Sequence, residues 1–163
     1  MAVRMSVSGR SDLPDPNVVI PWTQVLLDSH ARLMGRELIA RCGDPLEEAV
    51  RLFVAPFVVA SHDTAAEPLL NYGNRAALSL WELPWERFVR TPSRDTAEAV
   101  GRRERERVLE EVGRQGYVTG YSGVRISATG RRFRIHDVTI WDLSDRDGRR
   151  VGQAATFRHW TDE

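Results

Sequence analysis

The chain has 163 residues, 42% apolar and 28% charged, which suits one globular core with a short accessory element. All 23 basic residues are arginine and they balance 23 Asp and Glu, so no net field draws the chain to nucleic acid or an anionic membrane. The absence of lysine excludes Schiff-base chemistry, and the lone Cys42 excludes a disulfide framework or a cysteine metal cluster and fits a reducing compartment.

In chain order, residues 1–17 are polar, and Pro14 and Pro16 disfavour helix, so a loose leader is expected. No apolar core follows Arg4 as in a signal peptide, and no apolar run approaches the ~20 residues of a membrane span. A cytoplasmic location is the expectation. Residues 18–55 form a helical segment. From Trp22 to Arg41 the apolar residues Trp22, Val25, Leu26, Leu33, Met34, Leu38 and Ile39 fall at helical spacings, and Gly43 stops the pattern. Asp44-Pro45 opens a second short helix running to about Phe53.

Residues 56–163 carry the main core. Phe57 to Ser61 reads as a buried strand and Leu69 to Tyr72 as a second. Arg75 to Glu82 reads as a short helix capped by Asn74 and closed by Pro84; Pro92 to Asp95 is a turn before a longer helix. On that helix, Thr96 to Val112, the residues Val100, Val108 and Val112 share one sector, with Arg103, Arg107 and Arg114 along its edge. After Gly116 come three strand-like runs joined by turns at Thr129-Gly130 and Asp147-Gly148. Tyr117, Tyr121 and Arg125 fall on one face of the first. Phe133/Ile135 and Val138/Ile140 all read as inward, which requires a bulge near His136-Asp137. The resulting fold class is α+β, with one antiparallel sheet, helices on one face and an amphipathic N-terminal helix outside.

Several stretches carry a resemblance. They are Leu70 to Leu78 with Leu80-Trp81-Glu82 and Trp85, Pro92 to Ala97, Gly123 to Ser127, Gly130 to Phe133, and Gly152 to Phe157. In this order the chain resembles the MEKHLA family, a group related to PAS domains, over roughly residues 30–160. The resemblance implies a five-stranded antiparallel PAS-like sheet and a sensory or protein-interaction module. A similar module ends class III homeodomain–leucine zipper transcription factors of plants, where it is regarded as regulatory, and stand-alone bacterial relatives look like this chain.

The expected ligand site joins Arg94, Arg103, Arg107 and Arg125 with Tyr72, Tyr121, Trp141 and Gln153. Converging guanidiniums hold a carboxylate or phosphate, the aromatics wall the pocket, and an inward Gln153 orients the ligand. The plainer alternative for Arg107 is helix-surface pairing with Glu110 and Glu111. The four histidines show no metal-ligand spacing, the long helix has no axial histidine for haem, and Cys42 lies outside the position a flavin photoreceptor needs. No metal or cofactor is expected. The expected function is binding of a small anionic or aromatic metabolite, with signalling through a protein partner or a homodimer formed by the N-terminal helix or an exposed sheet face. Nucleic acid and membrane are not expected partners. The alternatives are a small isomerase- or hydratase-like enzyme using His136-Asp137 or Tyr121, and a ligand-free dimerisation module.

Overall fold

A computed structural model describes residues 13–97 and 99–163, so most of the expected leader lies outside the described residues. Two helices come first, α1 (Pro16–Met34) and α2 (Pro45–Phe53). Helix α1 begins earlier than the sequence predicts, because a proline at N1 sacrifices a backbone N–H that has no partner there anyway. It also ends earlier, at Gly35 in the left-handed region (φ 69), whose N–H returns to the Ala31 carbonyl. Leu38 and Ile39 are therefore loop residues packed on the core rather than a helical stripe.

The strands β1 (Val58–His62), β2 (Leu70–Gly73), β3 (Tyr117–Ile126), β4 (Arg132–Ser144) and β5 (Arg150–Phe157) form one antiparallel sheet in the order β2-β1-β5-β4-β3. A sixth strand, β6 (His159–Asp162), follows β5 after a break at Arg158 and pairs with the first half of β4. Between β2 and β3 lie α3 (Arg75–Trp81), α4 (Trp85–Phe88), a 3-10 turn (Ser93–Thr96) and α5 (Ala99–Gln115). The helix read from Arg75 to Glu82 ends where expected, with Glu82 at its C-cap, and Pro84 sits at the N-cap of α4, a helix the sequence reading did not identify.

The expected bulge is present. Between the pairs Tyr121↔Val138 and Gly123↔Ile135 the register shifts, with one more residue on β4 than on β3, and Asp137 takes φ 51. The extra residue keeps Phe133, Ile135, Val138 and Ile140 all on the inner face, where each is buried. A second shift near Gly120 (φ 71) re-phases β3.

Each sheet face carries its own core. On the inner face Val58, Phe133, Ile135, Val138, Ile140 and Phe157 meet Leu80, Trp81, Phe88 and Val112 from the helices. On the outer face Val59, Trp141, Leu143 and Ala154 meet Leu26, Leu27, Leu52 and Phe53 of α1 and α2. Of the two uses the sequence allows for the N-terminal helix, this is the covering one, so helices lie on both faces rather than one. Trp22 donates its indole N–H to Ser61 Oγ at 3.0 Å, and Ser29 Oγ accepts from the Ser144 N–H at 3.0 Å, tying α1 to strands at both ends.

Loop 41–43 is fixed by one buried carboxylate. Glu48, 1% exposed, accepts hydrogen bonds from Gln24 Nε2, Arg41 Nε and the N–H groups of Cys42 and Gly43. These donors outweigh the opposing effect of burial and hold its pKa at about 2. Asn74 is a second knot, fully buried. Its Oδ1 accepts from Ala77 N, capping α3, and from Val59 N, while its Nδ2 donates to the carbonyls of Leu52 and Phe57.

Candidate functional site

Strand parity decides what the inner face offers. Ala60, Ala155 and Ile140 stand in one register row, and His62, Gln153 and Asp142 in the next. The small alanines under α5 leave a cavity of about 80 Å³ between the sheet and the helices. Its lining includes Trp81 and Phe88 above, Val108 and Leu109 of α5 at the side, and Tyr121, Arg125, His62 and Gln153 as polar residues.

The polar groups stand at two ends. Arg125 pairs with Phe133 and Gln153 with Asp142, nine positions apart along β4 (142 − 133). At the β3 end Arg125 is 7% exposed, and its guanidinium lies 5.5 Å from the Tyr121 ring centroid. Arg125 Nη2 donates to the Tyr121 hydroxyl at 3.3 Å, and Nη1 donates to the Val124 carbonyl at 2.9 Å. No carboxylate pairs with Arg125 among the described residues. Trp81 packs on Phe133 at 5.5 Å between ring centroids, which brings it to the same end, and its buried indole N–H has no acceptor among the described residues. The guanidinium and the phenol thus meet with the Val124 carbonyl and the phenol oxygen as the acceptors in contact, and the indole lines the same cavity. Such a donor-rich, acceptor-poor end is complementary to an anion.

Gly123, which the sequence reading names only within a family motif, also shapes this end. A Cβ there would overlap the Tyr121 hydroxyl and stand 3.1 Å from Arg125 Nη1, so a bare backbone makes room for that pair. The β3–β4 turn is latched above it. Ser127 Oγ donates to Glu82 Oε2 at 2.6 Å, Thr129 donates to the same oxygen, and these bonds hold the Glu82 carboxyl below its ordinary pKa. At the other end Gln153 Nε2 reaches Asp142 Oδ1 only at 3.5 Å, while Asp142 accepts a closer bond from Arg150 Nε at 3.0 Å.

The structure brings together three of the eight residues expected at the site, Tyr121, Arg125 and Gln153. Tyr72 and Trp141 lie on the opposite face of the sheet and line no part of this cavity. Tyr72 pairs with Ser61 and packs on Trp85 at 5.9 Å, and burial pushes its hydroxyl pKa up. Trp141 stacks edge-on to His30 at 5.1 Å beneath α1. Arg94 is exposed and paired with Glu67 at 3.0 Å, outside the cavity. Arg103 and Arg107 are exposed on α5, because Val108, Leu109 and Val112 take the sheet-facing side; the side chain of Val100 lies outside the described set. The predicted convergence of four arginines is thus one buried arginine. His136, bonded to Thr161 at 2.9 Å, also stands apart from the cavity, as does Asp137. Cys42 is exposed in the loop before α2, and no group of His, Cys, Asp and Glu suited to a metal occurs among the described residues. No helix among the described residues is long and apolar enough to cross a membrane.

Comparison with known proteins follows the same architecture. A PAS domain from a two-component sensor histidine kinase superposes with a TM-score of 0.54 at 16% identity, covering 69% of this chain and 89% of that one. The PAS domain of a Colwellia psychrerythraea protein gives 0.58 at 17% identity, covering 74% and 98%. A light-oxygen-voltage domain from a study of its mechanism with a flavin analogue gives 0.56 at 13% identity, covering 72% and 84%. At these identities the likeness shows the fold, which is PAS-like. No curated protein matches the sequence. The sequence profile of the MEKHLA domain matches residues 20–162, which takes in most of α1, all of α2 and every strand, and the chain belongs to the MEKHLA domain family.

Proposed function

We propose that this chain is a sensory or regulatory module that binds a small anionic ligand in the inner cavity and passes its occupancy to a protein partner or a second copy. One observation carries the reading. The buried guanidinium of Arg125 faces a cavity with no carboxylate partner among the described residues, beside two further donors, Tyr121 Oη–H and Trp81 Nε1–H. An uncompensated buried charge costs several kcal/mol, and a carboxylate ligand accepting from its fork offsets that cost. The size narrows the ligand further. One water needs about 10–15 Å³ of such volume, so a cavity of about 80 Å³ holds several waters or a ligand of about as many non-hydrogen atoms. Short carboxylates fit.

The test is thermal unfolding of the full chain against a series of short carboxylates from formate to lactate. At least one should raise the melting temperature in a saturable way. Arg125→Ala should abolish that rise while the ligand-free protein stays folded, and Arg125→Lys, which keeps the charge without the fork, should restore part of it. Equal stabilisation of wild type and Arg125→Ala, or none by any member of the series, overturns the reading.

A further inference from the structure

A larger and more polar opening lies on the opposite face of the sheet. It is a cleft of about 310 Å³ where the loop after α1 overhangs the β4–β5 pairing and the break at Arg158. Thr139 and Thr156, direct register partners, line it, and Arg36 and Arg158 reach it from the loop and the strand break. The Arg158 guanidinium lies 4.4 Å from the Phe57 ring centroid, so it is held in place before any ligand arrives. Neither Arg36 nor Arg158 has a carboxylate bond among the described residues. Glu37, which also borders the cleft, turns 3.5 Å from Arg41, leaving Asp137 as the acid that faces the two guanidiniums.

The decisive group is His30, 3% exposed and part of the lining. Its Nδ1 lies 3.1 Å from the Arg36 carbonyl, which only accepts, so Nδ1 carries the hydrogen. The other nitrogen, Nε2, has no partner among the described residues. In neutral His30 it presents a lone pair, and in protonated His30 an N–H.

We propose that this cleft is a second ligand site, separate from the inner cavity, which takes a small oxyanion between Arg36 and Arg158 with protonated His30 donating from Nε2. Binding is then linked to proton uptake. Burial holds the pKa of free His30 below its ordinary value, and the Arg36 charge adds to that effect; the Arg36 carbonyl bond and the Glu37 charge oppose it. Asp137 also favours the proton, whereas Arg158 and any charge on exposed His159 disfavour it. A bound anion raises the His30 pKa, so affinity increases as pH falls towards the pKa of the free imidazole.

Sulfate, whose charge is constant between pH 5 and 8, is the probe, titrated into the full chain and followed by amide and imidazole NMR. Saturable shifts are expected at Arg36, Thr139, Thr156 and His159, with binding tighter at pH 5.5 than at pH 8 by a factor bounded at about tenfold per pH unit. Sulfate should raise the titration midpoint of the His30 ring. Arg36→Ala with Arg158→Ala should abolish the saturable shifts, while Arg125→Ala leaves them intact, which separates this site from the inner cavity. His159→Gln should retain the pH dependence. Shifts that do not saturate, that survive the double Arg variant, or whose pH dependence vanishes with His159 overturn the proposal.

Discussion

Replacing Glu48 by Gln keeps the volume and one acceptor oxygen but removes the charge that gathers loop 41–43 against α1 and α2. A fall of the folded-state pKa from 4.5 to about 2 corresponds to about 3.4 kcal/mol at 1.36 kcal/mol per pH unit. The side chain of its charged partner, Arg41, is 24% exposed, so water screens part of the attraction, and about 2–3 kcal/mol is the expected loss at pH 7. For a chain of this length that lowers the melting temperature by about 4–12 °C. The sign in pH follows from the depressed pKa. The contribution is complete above the unfolded value of 4.5 and disappears as pH falls through about 2. Calorimetry or circular dichroism on both proteins from pH 7 to pH 2.5 should therefore show the gap between them narrowing below pH 4.5. Glu82 and Glu163, whose pKa values are also lowered, are common to both proteins and cancel in the difference. Equal melting temperatures at pH 7, or a gap that stays constant with pH, refutes the assignment of the loop's stability to this carboxylate.

Two further substitutions probe the frame of the cavity. Asn74→Ala removes an α3 cap and leaves the Val59 N–H and Phe57 carbonyl without their side-chain partner, so urea denaturation should report a loss of about 3–4 kcal/mol; a loss below 1.5 kcal/mol would mean that the four bonds do not act together. Gly152→Ala places a Cβ on the His62 carbonyl oxygen, a backbone atom that cannot rotate away. It should destabilise by about 3 kcal/mol or more and disturb β1–β5 pairing, and native-like amide spectra and stability in this variant would contradict the close strand approach.

The sequence made the sheet legible because its signals are local. Apolar residues on both sides of His136-Asp137 required a bulge, Asn74 preceded a helix, and Asp44-Pro45 announced another; each is where it was expected. The site was less legible because it depends on how elements rotate against one another. Trp141 was within reach, since alternation from an inward Ile140 turns its neighbour outward. Tyr72 was not, because its face is set by pairing with Ser61 and by the irregularity next to it. The arginines of α5 occupied a stripe beside the apolar sector, and a helical wheel alone does not fix which edge of that sector the sheet covers. Pro16 misled for a different reason, as a residue that breaks helices from within and starts them at the first turn.

The extra residue at Asp137 has a consequence for how β4 tolerates change in length. Every side chain from Val138 to Leu143 owes its orientation to that one residue, because alternation has a period of two. Losing a single codon here would exchange the roles of Ile140 and Trp141, driving a tryptophan into the inner hollow and an isoleucine under the N-terminal helix. Point changes in this strand are graded in effect; an insertion or deletion at its kink reverses the faces of the strand's second half.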